Sequence, residues 1–506
     1  MYRLSRFRCL LFLFTLLSLS GPGSALAQPS EVGSVRFVKE ANTQFDSYTR
    51  SPSAGQSAWM RANFFRQKTY APYFDERTSW YPNAWAYKDL YAVYRDSELA
   101  GARPDWILRD ARGAKLFIPW GCEAGSCPQY AGDITNPEFR AHWIADARRT
   151  LAQGYRGLFI DDVNLEFRVG DGSGAERPPI DRATGRAMTH GAWRGYVADF
   201  VEQVRRELPG VEIAHNPIWF AGHSDPDTAR ALLAADYVAL ERGVTDDGLT
   251  AGGGRYGFET LREHVDWLHA HGKAVVWDAY TATREGAEYN LATYFLTGDG
   301  RDGIRTDYRA VPNDWWPAYD VELGAPRSSR YSWRGLERRD FAGGYVLVNG
   351  PGAPTRTVEN PPGVTNAENV SQPTSMLPAA SGAVLLTGGA SGSGALTLKV
   401  VPNPRRDALG GEQVARASGS TRLRRAVLIR GRAATAPRGA VRLRIERRQA
   451  GSWRVAKRTR THLRRKRAAF GRLFRRLPAG RYRVRASYRP ARGAAVSRTR
   501  SFRLRR

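Results

Sequence analysis

Between about residues 32 and 308 the chain alternates short apolar, β-like runs with longer amphipathic stretches. This alternation limits the fold more than any other feature. Strands that each feed a helix pair in parallel, and the helices must cover the sheet. Eight β-like runs stand out, at residues 34–38, 89–94, 106–109, 157–160, 211–214, 237–240, 274–277 and 303–306. Helical patterns follow several of them. One opens at Asn136-Pro137, a capping residue followed by a first-turn proline. Others run over about residues 193–208, 226–234, 258–271 and 288–296. Eight strand–helix units in this length predict a (β/α)₈ TIM barrel. An open doubly wound sheet is the alternative, but no glycine-rich phosphate loop follows the first run.

Arg3, Arg6 and Arg8 precede an apolar stretch at residues 9–17, and Ala25-Leu26-Ala27 follows. That order is expected of a signal peptide, residues 1–27, and of a secreted protein. The apolar stretch is too short to span a bilayer, and no later one is apolar enough. Cys122 and Cys127 remain after cleavage, around a small glycine-containing loop. In an exported chain they are expected to form a disulfide.

The remaining organisation shows in composition. The barrel is assigned to residues 28–325 and a small antiparallel β-domain, packed on the barrel's end, to 326–388. A linker covers 389–410, and its Gly/Ser-rich start lies at 388–394. Residues 411–506 hold 32 Lys and Arg against two acids, a net of +30; the whole chain carries +28, so the rest is −2. Arginine alternates there with apolar residues, as in Val441-Arg442-Leu443-Arg444-Ile445. Period two predicts a β-sandwich with arginines on its wet face. Such a domain is expected to adsorb to anionic cell-wall or extracellular polymers, at or near the cell surface. It has few aromatics for stacking bases, so sequence-specific nucleic-acid binding is not expected.

In a barrel, functional side chains follow the strands. Asp110, Asp161, Asp162, Asn164, Asn216, Glu241, Asp278, Tyr280 and Asp307 all do so in this reading. Repeated acids at one end of a barrel suit glycoside hydrolysis, which needs one carboxyl to protonate the leaving oxygen and one to attack or to activate water. Asp161 and Glu241 are the candidate pair, with Asp161 as nucleophile or base and Glu241 as general acid, its pKa raised by burial or a neighbouring carboxylate. Asp162 is the alternative to Asp161, because strand alternation sends the two to opposite faces. Arg242 is expected to point away from Glu241. Asn164, Asn216, Trp219, Asp278, Tyr280, Asp110 and Asp307 are candidate sugar binders, and His215 is expected to be structural. Trp80, Tyr81, Trp85, Trp219, Trp277, Tyr280, Trp315 and Trp316 could offer aromatic faces to a pyranose. No metal cluster and no cofactor is expected; the acidic stretch at residues 299–303 contains Arg301 and reads as a turn.

Together, the run Gly157-Leu158-Phe159-Ile160-Asp161-Asp162-Val163-Asn164, the helix at Trp193, His215-Asn216-Pro217, and Tyr237-Val238-Ala239-Leu240-Glu241-Arg242-Gly243 resemble bacterial secreted glycoside-hydrolase-like TIM-barrel proteins. These are related to polygalactosaminidase-type and amylase-type barrels. The resemblance covers roughly residues 32–388. It implies a retaining or inverting glycosidase acting on a carbohydrate, with an Asp on the fourth strand, here Asp161, and a Glu after a later strand, here Glu241. The arginine-rich part falls outside it and resembles Ig-like β-sandwich modules of exported actinobacterial proteins. A barrel that binds a glycan without cleaving it is the competing expectation.

Overall fold

A computed structural model describes residues 32–41, 45–69, 80–122, 127–387, 399–402, 426–432, 440–449, 452–462, 469–488 and 496–504. The expected signal peptide and the linker except 399–402 lie outside them.

Eight parallel strands close into a barrel. They are β1 (Phe37–Ala41), β2 (Phe64–Thr69), β3 (Ala84–Asp89), β4 (Gly157–Val163), β5 (Glu212–Pro217), β6 (Tyr237–Glu241), β7 (Ala274–Asp278) and β8 (Gly303–Arg305). Phe37 pairs with Ile304 to close the ring. The helices start where local chemistry dictates. Asn136 accepts from the Glu138 amide ahead of Pro137–Ala152, and Thr189 caps His190–Glu207. Asp225 caps Pro226–Leu233, which opens on proline. Their apolar faces merge with the outward residues of the strands, such as Ile160, Val238 and Val275, in one core. A second, smaller core fills the barrel itself with Val38, Trp85, Phe159, Ala214, Ala239 and Val276.

Two of the expected strands are not barrel strands. Residues 92–94 instead pair with 129–131 in a separate two-stranded sheet, and residues 104–106 form a 3₁₀ turn. Their places are taken by β2 and β3. The sequence of β2, Phe-Phe-Arg-Gln-Lys-Thr, conceals a buried strand because its charges are neutralised inside the barrel. Arg66 holds Glu212 with Nε 2.5 Å from the carboxylate, and Lys68 lies 3.3 Å from Glu40. The first strand also starts three residues later than the expected 34–38.

After the barrel, a five-stranded antiparallel sheet includes the adjacent strands Leu336–Phe341, Gly344–Asn349 and Ser381–Leu386. It packs on the barrel's flank rather than its end. Val346, Val348, Val384 and Leu386 join the core of helix Arg284–Thr297, and Gly382 lies so close that an added Cβ would come within 2.6 Å of the Ala292 Cβ. The C-terminal part forms a three-stranded and a four-stranded antiparallel sheet around a shared core that includes Val427, Ile429, Leu443 and Val484.

Candidate active site

Alternation along a strand fixes which residues face the barrel axis. Two positions beyond the interior layer of Val38, Trp85, Phe159, Ala214, Ala239 and Val276 come Glu40, Tyr87, Asp161, Asn216, Glu241 and Asp278. Lys68 of β2, whose ammonium sits over the Phe159 ring, and Arg305 of β8 complete the layer. Each strand thus contributes one polar side chain at its C-terminal end.

Hydrogen bonds run almost continuously around this ring. The Tyr87 hydroxyl donates to Asp161 Oδ2 at 2.6 Å. Asn216 Nδ2 donates both to Asp161 Oδ1 and to Glu241 Oε2, each at 2.7 Å. Tyr280 donates its hydroxyl to Glu241 Oε1 at 2.7 Å. Further round, Arg305 bonds Asp278 at 2.8 Å, Glu40 at 2.9 Å and Asp307 at 3.1 Å. The Arg305 guanidinium also lies over the Tyr280 ring, 4.9 Å from its centre.

Because one nitrogen lies 2.7 Å from both oxygens, Asp161 Oδ1 and Glu241 Oε2 are at most twice that, 5.4 Å, apart. The two N–H bonds of an amide diverge at about 120°, which puts the oxygens roughly 4.7 Å apart.

Several electrostatic consequences follow. Burial pushes the Asp278 carboxyl up, against the pull of Arg305 and Lys68. Burial also pushes Glu40 up, but Lys68 and Arg305 together hold it below the usual range. Lys39, buried beside this network, is lowered to about 8 by loss of water. Tyr280 is raised by burial and by the carboxylates of Asp278 and Glu241, so its hydroxyl stays a donor.

Asp162 faces elsewhere. It sits at φ 51°, in the left-handed region. Trp120 Nε1 donates to its Oδ1 at 3.0 Å, and so does Asn164 Nδ2 at 2.9 Å. Its carboxyl also bonds that of Asp89, the last residue of β3. Burial and the neighbouring carboxyl of Asp162 hold the Asp89 carboxyl well above the usual carboxylate range. Asp89 was not singled out in the sequence, where it reads as the start of an apolar run. The alternation Trp85-Ala86-Tyr87-Lys88-Asp89 was the available signal.

Other sequence candidates are relocated. Asp110 does not end a barrel strand; its carboxylate closes a turn by accepting from the amides of Arg112 and Ala114. Asn164 is buried and braces Tyr91 and Asp162. Trp219 is buried in a 3₁₀ turn. Asp307 pairs with Arg305 at the rim. Tyr81, Trp85, Trp277 and Trp316 are fully buried core residues, leaving no face for a sugar. Tyr280 is 45% exposed, and so is an aromatic the sequence reading passed over, Trp120, at 50%. Arg242 is exposed, with its guanidinium 6.0 Å from the Tyr280 ring centre, and makes no ion pair with Glu241 among the described residues. His215 is wholly buried against the Ala231 carbonyl, and burial lowers it to about 3. Cys122 and Cys127 are joined in a disulfide just after Trp120. Asp299 and Asp302 lie beyond the opposite, N-terminal end of the barrel. Asp299 is held by Arg301, and Asp302 by His269 and the Val275 amide.

The sequence profile of hypothetical glycosyl hydrolase family 15 matches residues 73–345, more than half of the chain. The chain belongs to this family. It is a glycoside hydrolase built on a TIM barrel followed by β-domains. Among solved structures it is similar to the glycoside hydrolase domain of PelA from Pseudomonas aeruginosa, at 18% identity over 51% of this chain and 89% of that one, with a TM-score of 0.32. It is also similar to a cyclic α-maltosyl-(1→6)-maltose hydrolase from Arthrobacter globiformis, at 13% identity over 70% and 99% of the two chains, TM-score 0.35. A maltogenic α-amylase, AmyB, from Thermotoga neapolitana matches at 12% identity over 70% and 98%, TM-score 0.39. These likenesses carry no information about substrate. A comparison with curated proteins found no match.

Proposed function

We propose that this glycoside hydrolase cleaves an O-glycosidic bond of a poly- or oligosaccharide with retention of configuration, using Asp161 as nucleophile and Glu241 as general acid and then base. The observation that carries the reading is the shared Asn216 amide, which brings the facing oxygens of the two carboxylates, Asp161 Oδ1 and Glu241 Oε2, within 5.4 Å of each other. Retaining pairs lie about 5–5.5 Å apart, whereas inverting pairs need roughly 6.5–9.5 Å to admit a water.

In the first step Asp161 Oδ attacks the anomeric carbon as Glu241 delivers its proton to the leaving oxygen, and the bond from the anomeric carbon to that oxygen breaks. A glycosyl ester forms on Asp161. In the second step Glu241 takes a proton from water, whose oxygen attacks the same carbon and releases the Asp161 carboxylate. Tyr87 and Asn216 orient the nucleophile, while Asn216 and Tyr280 orient the acid. Asp278, Arg305, Lys68 and Glu40 form a buried charged network beside the pair, and the exposed rings of Trp120 and Tyr280 are suited to the apolar face of a pyranose.

Export belongs to the same reading, on the strength of the N-terminal sequence and the Cys122–Cys127 pair, as does retention near anionic polymers through residues 411–506. The Ig-like assignment of that module rests on its sequence pattern.

The test is activity of the exported protein on a panel of oligosaccharides and polysaccharides, with Asp161→Asn and Glu241→Gln alongside. Each variant is expected to lose at least about 10³-fold in kcat. Full activity in both would leave the barrel as a holder of glycans.

A further inference from the structure

The four-stranded sheet of the C-terminal module has two faces of opposite character. Its strands run in the order Ser452–His462, Ala440–Gln449, Gly480–Tyr488 and Val496–Leu504. Val441, Leu443, Ile445, Val484 and Ala486 point into the module's core and are essentially inaccessible. The residues between them point outward, and the pairing register aligns arginine with arginine. Arg442 stands opposite Arg460. Arg444 stands between Arg458 on one side and Arg485 on the other. Arg481 stands opposite Arg503.

Like charges directly opposite one another destabilise a sheet. Neighbouring strands are about 4.8 Å apart, so each row roots its arginines on backbones at about that spacing. Solubility alone requires neither this register nor the near-absence of acids. Glu446, the one acid on this face among the described residues, is buried beneath it and binds Arg444 at 2.7 Å and Arg483 at 2.6 Å. The Arg483 guanidinium is in turn stacked over Trp453, 4.7 Å from the ring centre. Two of the arginines are therefore pinned in place, whereas Arg442, Arg458, Arg460, Arg481 and Arg503 form no ion pair among the described residues.

We propose that this face binds an anionic polysaccharide, the rows of guanidinium groups taking successive carboxylate or sulfate groups along the polymer. Arginine suits these groups because its planar fork donates two parallel hydrogen bonds to one anion. The choice of a glycan over another polyanion rests on the hydrolase reading of the barrel on the same chain. The face itself also argues against single-stranded nucleic acid, whose binding relies on exposed aromatic platforms. Trp453, the aromatic on this face among the described residues, is occupied by Arg483. Among the described residues the module has no helix to lay in a duplex groove. The module would hold the barrel against its polymer.

The experiment is affinity chromatography and direct binding of the full chain to polygalacturonate, with neutral dextran and double-stranded DNA as comparisons. The protein is expected to bind polygalacturonate, to ignore dextran, and to elute with rising salt. Arg442→Ser/Arg458→Ser/Arg460→Ser is expected to weaken Kd by about 10- to 100-fold at low salt. A control, Arg472→Ser/Arg475→Ser/Arg476→Ser, removes the same charge from another part of the module and is expected to change Kd less than about threefold. Thermal unfolding of both variants checks that each is folded. Equal weakening by the two would reduce the effect to diffuse net charge and overturn the proposal. So would absence of binding to polygalacturonate, or tighter binding to DNA at the same salt. Binding is read without turnover, so a failed hydrolase reading would appear in the Asp161→Asn activity and not here.

Discussion

Arg305 offers a prediction whose size can be worked out. Its side chain is 8% exposed and bonds three carboxylates, of Asp278, Glu40 and Asp307. In Arg305→Met, Glu40 keeps Lys68 at 3.3 Å and Asp307 is near water. Asp278 is buried and loses its direct cation. It can remain charged at a cost of about 3–5 kcal/mol, the usual loss on breaking a buried pair. Alternatively it can take a proton. From an unfolded-state pKa of about 3.9, that costs about 4 kcal/mol at pH 7 and about 2 kcal/mol at pH 5.5. The cheaper route sets the limit, so the variant is expected to lose about 4 kcal/mol at pH 7, equivalent to roughly 8–16 °C in Tm. The sign is fixed by linkage. Without Arg305 the Asp278 pKa in the folded state lies above its unfolded value, so the folded form binds more protons and the penalty shrinks as pH falls. Arg305→Met/Asp278→Asn removes both charges and is expected to recover most of the loss. Denaturant melts of the three proteins at pH 5.5 and 7, followed by tryptophan fluorescence, provide the assay. The reasoning is refuted if Arg305→Met costs less than about 1 kcal/mol at pH 7, if its cost does not depend on pH, or if the double variant is no more stable than the single one.

Three further outcomes are expected. Asn216→Ala removes two charge-assisted hydrogen bonds, each worth about 1.5–3 kcal/mol. The bond to Asp161 weakens anyway as the ester forms, so kcat should fall about 10²-fold with little change in KM, as steady-state kinetics would show. Trp120→Ala removes an exposed ring and should raise KM about tenfold while leaving kcat within about threefold, corresponding to roughly 1.4 kcal/mol of ground-state binding; an unchanged KM would exclude the ring from the substrate path. His215 and His264 are each held near 3 by burial. Below the unfolded value of about 6.5 the unfolded chain takes protons that the folded barrel refuses, so stability falls from about pH 6.5 towards 3. Each histidine is expected to cost about 2 kcal/mol at pH 5 relative to pH 7.5. His264→Leu should remove about half of that pH dependence, as melting at the two pH values would reveal.

The strands that could be read from sequence are those whose burial is apolar on both faces. β4 to β7 pack Ile160, Val238 and Val275 outward and Phe159, Ala239 and Val276 inward, so they appear as continuous apolar runs. β2 could not be read because Arg66 and Lys68 face the barrel interior, where Glu212 and Glu40 neutralise them. Periodicity cannot distinguish a buried ion pair from two surface charges. A different ambiguity misplaced Asp110, where a short apolar run that reads as a barrel strand leads into a turn closed by the Asp110 carboxylate. Asp161, Asn216 and Glu241 were legible as residues following strands, but the amide that brings two carboxylates to one nitrogen was not. It depends on β5 lying between β4 and β6 in the barrel, a fact of topology. The aromatics misled in the opposite direction. Large rings near strand ends, such as Trp85 and Trp277, fill the core, while Trp120 owes its place at the mouth to a hydrogen bond with Asp162.

The central claim is that Asp161 and Glu241 work as a retaining pair. The most direct test is proton NMR of the first-formed product, recorded before mutarotation, on whichever oligosaccharide the protein cleaves. The carboxylate separation predicts a hemiacetal with the same anomeric configuration as the bond that was broken. A product of the opposite configuration would mean that water attacks in one displacement, and that the 5.4 Å limit set by Asn216 does not hold in the working enzyme.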